Sequence, residues 1–423
     1  MQGGQNYWTI RIMTKETEQK EPKRLSTSEI MEAMEVALAA PMKGTPGVEE
    51  CLWGLPMNIE GDFGIGKTSR WRQVAQKLTA DLCSLFAGQH PPEDFAGALI
   101  PDGKGDAKQI CSLSQVRDLL PKKYGIIFID EANGAPPATQ AALMSFVHER
   151  VAGDHPIPPH IRIVSATNPE EVATAGHRFS PGLANRFVHF YDSVPSAEDW
   201  TGWFLGSTVK KKGESTLQEL EKKIVSGWPN VWPRMQATYS GFIQANEELL
   251  HKRPPPENPQ SGAAWPSPRT WDFAARGQAS AIILNKSSEI EYSFVEGAVG
   301  PAAAENFEEY CAQFNLPSVD EVLNGTWKID KSRIDITMAA FVQMTSTIVQ
   351  KKDEAEKHRM AALAWKRYED LLKAQLADIA MPQVTTMVGA DLGRASKDAN
   401  VKKAASPVLS ALSLSGMGKF IDE

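Results

Sequence analysis

An α/β fold with a five-stranded parallel sheet, followed by an all-helical lid and a C-terminal helical region, is what this sequence predicts, and three observations predict it. Between about residues 55 and 191 short apolar runs alternate with helical stretches, the signature of parallel strands joined by crossover helices. Between the first of these runs and the helix after it lies a glycine-rich loop of phosphate-binding type. From Pro195 onward the pattern turns helical. The chain's 423 residues correspond to two or three domains at roughly 150 residues each. With 42% hydrophobic and 23% charged residues, wholesale disorder is excluded.

The elements follow in order. Residues 1–25 are polar and precede the first strong helix start, so a mobile N-terminal tail is expected there. Ser26-Thr27-Ser28-Glu29 forms a capping box that opens a helix, which Pro41 stops. The α/β domain is placed over 26–195, with strands at 55–59, 81–86, 125–130, 161–167 and 187–191. Their uninterrupted apolar character fits burial on both faces. The helical lid is placed over 196–290, interrupted by a proline-rich loop at 253–268 that no helix crosses. The C-terminal helical region is placed over 291–387, with helices at about 334–351 and 353–379. In the second, Trp365, Tyr368, Leu372, Leu376 and Ile379 recur at steps of three and four as one apolar stripe. Residues 388–423, rich in Ala, Ser, Gly and Lys, are expected to be a partly disordered tail. The eleven tryptophans read as core.

Chemistry concentrates in four places. Gly61-Asp62-Phe63-Gly64-Ile65-Gly66-Lys67-Thr68 matches G-x-x-x-x-G-K-[ST]. Gly61, Gly64 and Gly66 let the backbone curl so that its N–H groups face phosphates at a helix N-terminus. Lys67 would lie along the β- and γ-phosphates of ATP, and Thr68 would offer its hydroxyl to Mg²⁺. About sixty residues on, the strand at 125–130 ends in Asp130-Glu131, which places Asp130 at the metal and Glu131 as general base for an attacking water. The strand at 161–167 ends at Asn168, which would orient that water or touch the γ-phosphate. Arg186, before the fifth strand, and Arg269, in a Ser-Pro-Arg turn, carry the permanent forked charge that suits phosphate. His148, His155 and His160 fit a loop or hairpin better than a metal site, and Lys210-Lys211-Lys212 reads as a solvated face.

Loop, Asp-Glu strand, Asn strand, L-x-x-R-F and S-P-R in that order resemble an AAA+ P-loop ATPase, and specifically the MoxR family, over about residues 26–275. Pro92-Glu93-Asp94-Phe95-Ala96-Gly97 looks like the family's P-x-D-x-x-G region, and the segment from Ala141 to Pro169 like its helix, short β-hairpin and sensor strand. The resemblance implies that Asn168 is sensor 1, that Arg186 is an arginine finger acting on the neighbouring subunit, and that Arg269 is the sensor 2 arginine of the lid. Asp62-Phe63-Gly64 stands where many members have a Pro-Gly pair.

These readings lead to an ATPase using ATP and Mg²⁺, assembled as a homo-oligomeric ring, a hexamer, that remodels or activates a partner protein in a chaperone-like role. The family resemblance implies a partner with a von Willebrand factor A-type domain. A nucleic-acid motor and a non-hydrolysing switch or scaffold are the rivals. With 45 basic against 52 acidic side chains, net −7, the chain lacks the charge of a nucleic-acid groove, and the presence of Glu131 and Arg186 argues against a mere switch. Cys51, Cys83, Cys111 and Cys311 are scattered without a C-x-x-C pair, and no apolar window is long enough to span a membrane. A cytoplasmic location is therefore expected.

Overall fold

The computed structural model describes residues 21–48, 50–101, 107–172, 177–206, 215–255, 258–313, 316–331 and 333–414. Six strands form one sheet: β1 (Arg24–Leu25), β2 (Met57–Glu60), β3 (Asp81–Phe86), β4 (Gly125–Asp130), β5 (Ile161–Thr167) and β6 (Val188–Asp192). Their order is β1-β6-β2-β5-β4-β3, and every pair is parallel. The five expected strands are present within a residue or two of their expected limits. The sixth, β1, was expected to lie in a mobile tail, yet Arg24 pairs with Tyr191 and Leu25 with Asp192. Residues 1–20 lie outside the described residues, as does the basic run at 210–212.

Every residue of β4 and β5 is buried, as their unbroken Ile, Val and Phe content requires. The strand period of two splits them between cores: Ile126 and Phe128 face one layer, Ile127 and Ile129 the other. The capping box is realised in α1 (Thr27–Ala39), where Ser26 N donates to Glu29 Oε2 at 2.8 Å. After the sheet's crossover helices α2 (Lys67–Leu78) and α3 (Pro137–His148) come α4 (Ala197–Phe204), α5 (Leu217–Ala245), α6 (Pro268–Ile283), α7 (Ser288–Val299) and α8 (Pro301–Gln313). Pro92–Ala96 forms a short helix, and Val151–Ala152 pairs with His155–Pro156 as a hairpin, so His155 sits in a hairpin as expected.

Three sequence boundaries change. The expected break at 290/291 falls inside α7, which packs on β6: Phe294 meets Phe190 at 5.1 Å between ring centroids, and a Cβ on Gly297 would lie 2.3 Å from the His189 carbonyl oxygen. Only glycine lets the helix come so close. Helices α1, α2 and α5 to α8 therefore share one core with the sheet, and a separate core begins near Val322. Within it, α9 (Ile334–Gln350) is followed by α10 (Glu354–Lys373) and α11 (Ala377–Gly389). The expected single helix at 353–379 is two, because the chain turns through a left-handed residue at Gln375 (φ +61°). Its stripe is split accordingly, with Trp365 and Tyr368 buried on α10 and Ile379 on α11. The tail expected from 388 is helical over α12 (Ala399–Leu414), where Val401, Ala405, Val408 and Leu412 bury one face. The tryptophans also divide: Trp71, Trp228 and Trp365 are core, but Trp200 and Trp203 are 53% and 48% exposed. Among the described residues no helix is long and apolar enough to cross a membrane.

Candidate active site

The glycine-rich loop joins β2 to α2. Gly64 (φ +73°) and Gly66 (φ +96°) adopt the left-handed conformation that the curl needs. Gly66 caps α2 without any side-chain acceptor, so the first helical N–H groups are left for a ligand. Gly61 is fixed by space: a Cβ would come 2.6 Å from Ile65 Cδ1 and 3.1 Å from Asp192 Cβ.

Lys67 is buried over this loop. Its Nζ donates to Gly61 O at 2.6 Å, Asp62 O at 2.8 Å and Asn168 Oδ1 at 2.8 Å. Burial lowers its pKa, and the negative field of Asp130 opposes that shift. Thr68 Oγ1 donates to Asp130 Oδ2 at 2.6 Å, which brings a hydroxyl and a carboxylate together as a hard-cation donor pair. Beyond Asp130 the backbone of Glu131 is left-handed (φ +50°), a conformation that costs a non-glycine residue about 1 kcal/mol or more and persists at functional turns. Glu131 itself is exposed, next to Asp130 at the end of β4 and ready to meet solvent.

Asn168 is thus joined to Lys67 directly. A residue missed by sequence reading holds it there: Asn133, three residues beyond Asp130, donates its Nδ2 to Asn168 O at 2.8 Å and accepts from Asn168 N at 3.3 Å. Its only sequence signal was an amide close behind Asp-Glu. Below it Asn58 links β2 to β5, accepting from Ser165 Oγ at 2.8 Å and donating to Thr167 Oγ1 at 2.9 Å. A buried Arg70–Asp192 ion pair, also missed, ties α2 to the end of β6. Nothing in the spacing of Arg70 and Asp192 reveals it.

The two arginines lie elsewhere. β6 pairs with β2 through Val188–Met57 and Tyr191–Glu60, so Arg186 precedes the strands while the phosphate loop follows them. At about 3.3 Å per residue the two are separated by roughly 15–20 Å, the length of the sheet. Arg186 donates Nη1 to Gly182 O at 2.6 Å, and its buried Nε has no partner among the described residues. Arg269 keeps it company, donating Nη1 to Asn185 Oδ1 at 3.4 Å. Burial lowers the pKa of both guanidinium groups, and for Arg186 the charge of Arg269 adds to the effect. His148, at the end of α3, is likewise lowered by burial and then by the two arginines. Arg269, expected among the groups that hold nucleotide, therefore stands beside Arg186 and not on the loop of its own chain. Arg178 is engaged by Glu170 at 2.8 Å.

Comparison with known proteins gives one family match. Residues 56–187 match the AAA domain of the dynein-related subfamily. The chain carries an AAA domain. The match spans the loop, both carboxylates, Asn168 and Arg186. No curated protein sequence matches the chain. Among solved structures, one described as "a putative ATPase" from Cytophaga hutchinsonii is 15% identical, with a TM-score of 0.43, covering 69% of this chain and 90% of that one.

Two further groups belong to the surroundings of the AAA domain's loop. Glu60, the last residue of β2, has its carboxyl pushed up to about 7 by burial, against the pull of Arg24. A cleft of about 920 Å³ opens over the loop, bounded by Met31 of α1, Ile65, Arg70 and Gln73 of the loop and α2, and Trp200 and Trp203 of α4. Neither Arg186 nor Arg269 lines it.

Proposed function

We propose that the chain is an ATP-hydrolysing ring protein of MoxR type, whose AAA domain binds Mg²⁺-ATP in the cleft over Lys67 and uses hydrolysis to remodel a partner protein. The observation that carries this reading is the convergence of Lys67, Thr68, Asp130 and Asn168 within direct hydrogen bonds on one glycine loop. Thr68 and Asp130 would hold Mg²⁺, which when bound neutralises charge on the β- and γ-phosphate oxygens. Lys67 and the N–H groups of the loop bind and orient the triphosphate. Glu131 takes the proton of the attacking water, and Asn168, fixed by Asn133, positions that water. Arg186 supplies the last charge to the site of the adjacent protomer, because its own loop is a sheet's length away.

Assembly follows from that division, since a site that needs a guanidinium from outside the chain is complete only in an oligomer. A hexameric ring, a chaperone-like role and a partner with a von Willebrand factor A-type domain rest on the order of motifs that resembles MoxR proteins. The test is titration with ATP in the presence of Mg²⁺, together with turnover. The parent should bind and hydrolyse ATP, and Lys67→Ala should lose nucleotide affinity by at least about tenfold, the loss of a charged hydrogen-bond donor. Equal affinity in the two would overturn the assignment.

A further inference from the structure

We infer that Trp203, supported by Trp200, is the stacking platform for the nucleotide base in the cleft above the phosphate loop. This rests on the nucleotide reading of that cleft and names the part of the ligand that the loop does not explain. The loop, Lys67 and Thr68 account for phosphates. The same cleft continues past Ile65 and Met31 to α4, and its volume of about 920 Å³ falls within the roughly 300–1,000 Å³ of small-molecule sites.

α4 is unusual in this molecule. Its eight residues hold two tryptophans and a phenylalanine, yet none of its residues is buried. Ser196 and Asp199 form a capping box that fixes its start, with Asp199 N donating to Ser196 Oγ at 3.0 Å. Trp200 and Trp203 both line the cleft. One face of Trp200 is covered by Phe204, stacked at 4.9 Å with an interplanar angle of 11°. Trp203, 48% exposed, has no aromatic partner among the described residues. An indole left half in water beside a phosphate site has an apolar face to offer, and a planar base is the part of a nucleotide that takes it. Position supports the same occupant: α4 follows directly from the carboxyl end of β6, the edge of the sheet where the loop lies. Gln73 and Asp199, on the walls of the same cleft, supply hydrogen-bonding groups for the base edge.

The experiment compares two ligands that share phosphates and differ in the base. Dissociation constants for ATP and for inorganic tripolyphosphate, each with Mg²⁺, are measured for the parent, Trp203→Ala and Trp203→Phe. Trp203→Ala should bind ATP about tenfold more weakly, in line with stacking losses seen on alanine substitution. It should bind tripolyphosphate as the parent does, and Trp203→Phe should recover most of the ATP affinity. An unchanged ATP constant in Trp203→Ala would overturn the inference, whether or not assembly is altered, and so would equal losses for both ligands. A parent that binds neither ligand would instead remove the nucleotide reading itself.

Discussion

At the carboxyl edge of the sheet Lys67 donates to three oxygens of its own chain and Thr68 to Asp130, while at the amino edge Arg186 keeps a buried Nε unpaired among the described residues and Arg269 stands beside it with a single 3.4 Å contact to Asn185. The first edge is built to receive an anion at groups already held in place. The second gathers two guanidinium groups and His148 and lowers their pKa values by burial, with the field of Glu149 opposing the shift at Arg186 and His148. Charges kept in such a setting are costly unless they are paired and hydrogen-bonded. On the proposed function this difference makes the two edges complementary halves, with a copy of the chain bringing the half that each site would otherwise lack.

The sharpest way to break this comparison is to remove the unpaired charge. Arg186→Ala should bind ATP nearly as the parent does and hydrolyse it about 10³-fold more slowly, as loss of an arginine finger does. Steady-state turnover measured beside ATP binding separates the two effects, and parental turnover would mean that the amino edge takes no part in hydrolysis. On the loop edge, Glu131→Gln keeps shape but cannot take the water's proton, so kcat should fall by about 10²- to 10³-fold with ATP affinity retained. Turnover at the parental rate would transfer the base to another acid.

A smaller effect tests the loop edge as a folded structure. The Glu60 carboxyl has a folded-state pKa of about 7 against 4.5 in an ordinary glutamate, because burial disfavours its charge. Between about pH 4.5 and 7 the folded chain holds a proton that the unfolded chain has lost, so stability falls as pH rises, by about 3 kcal/mol in all. Glu60→Gln removes that slope. Its stability relative to the parent, from chemical denaturation, should therefore rise between pH 5 and pH 8; a constant difference would show that Glu60 ionises normally. His189, buried and held near pKa 4, acts with the opposite sign as pH falls below 6.5, but equally in both proteins, so it cancels in the difference.

The edges also differ in how far they could be read from sequence. The loop edge was legible because its chemistry is local: glycines, lysine and threonine are consecutive, and Asp130-Glu131 and Asn168 end apolar strands that a parallel sheet must align. Asn133, Arg70 and Asp192 were not legible, since their bonds depend on which strand ends become neighbours. The amino edge was half legible. Arg186 and Arg269 were found as residues, but that they stand together follows from Ser267 and Arg269 both meeting Asn185, a contact across more than eighty residues. Composition misled for Trp200 and Trp203, because hydrophobic content says nothing of which side chains the fold leaves uncovered. In the C-terminal region a period of three to four correctly marked buried faces, but it could not show the left-handed turn at Gln375 that divides one expected helix into two.

The division of the site between copies is tested most directly by mixing. Arg186→Ala and Glu131→Gln subunits, each nearly inactive alone, are combined under conditions where mass measurement shows mixed assemblies. Where an Arg186→Ala subunit, with its Glu131 intact, receives Arg186 from a Glu131→Gln neighbour, the site is whole, so a measurable fraction of parental ATP turnover should return. If mixed assemblies stay as inactive as either variant alone, Arg186 does not act across the interface and the account of complementary edges is wrong.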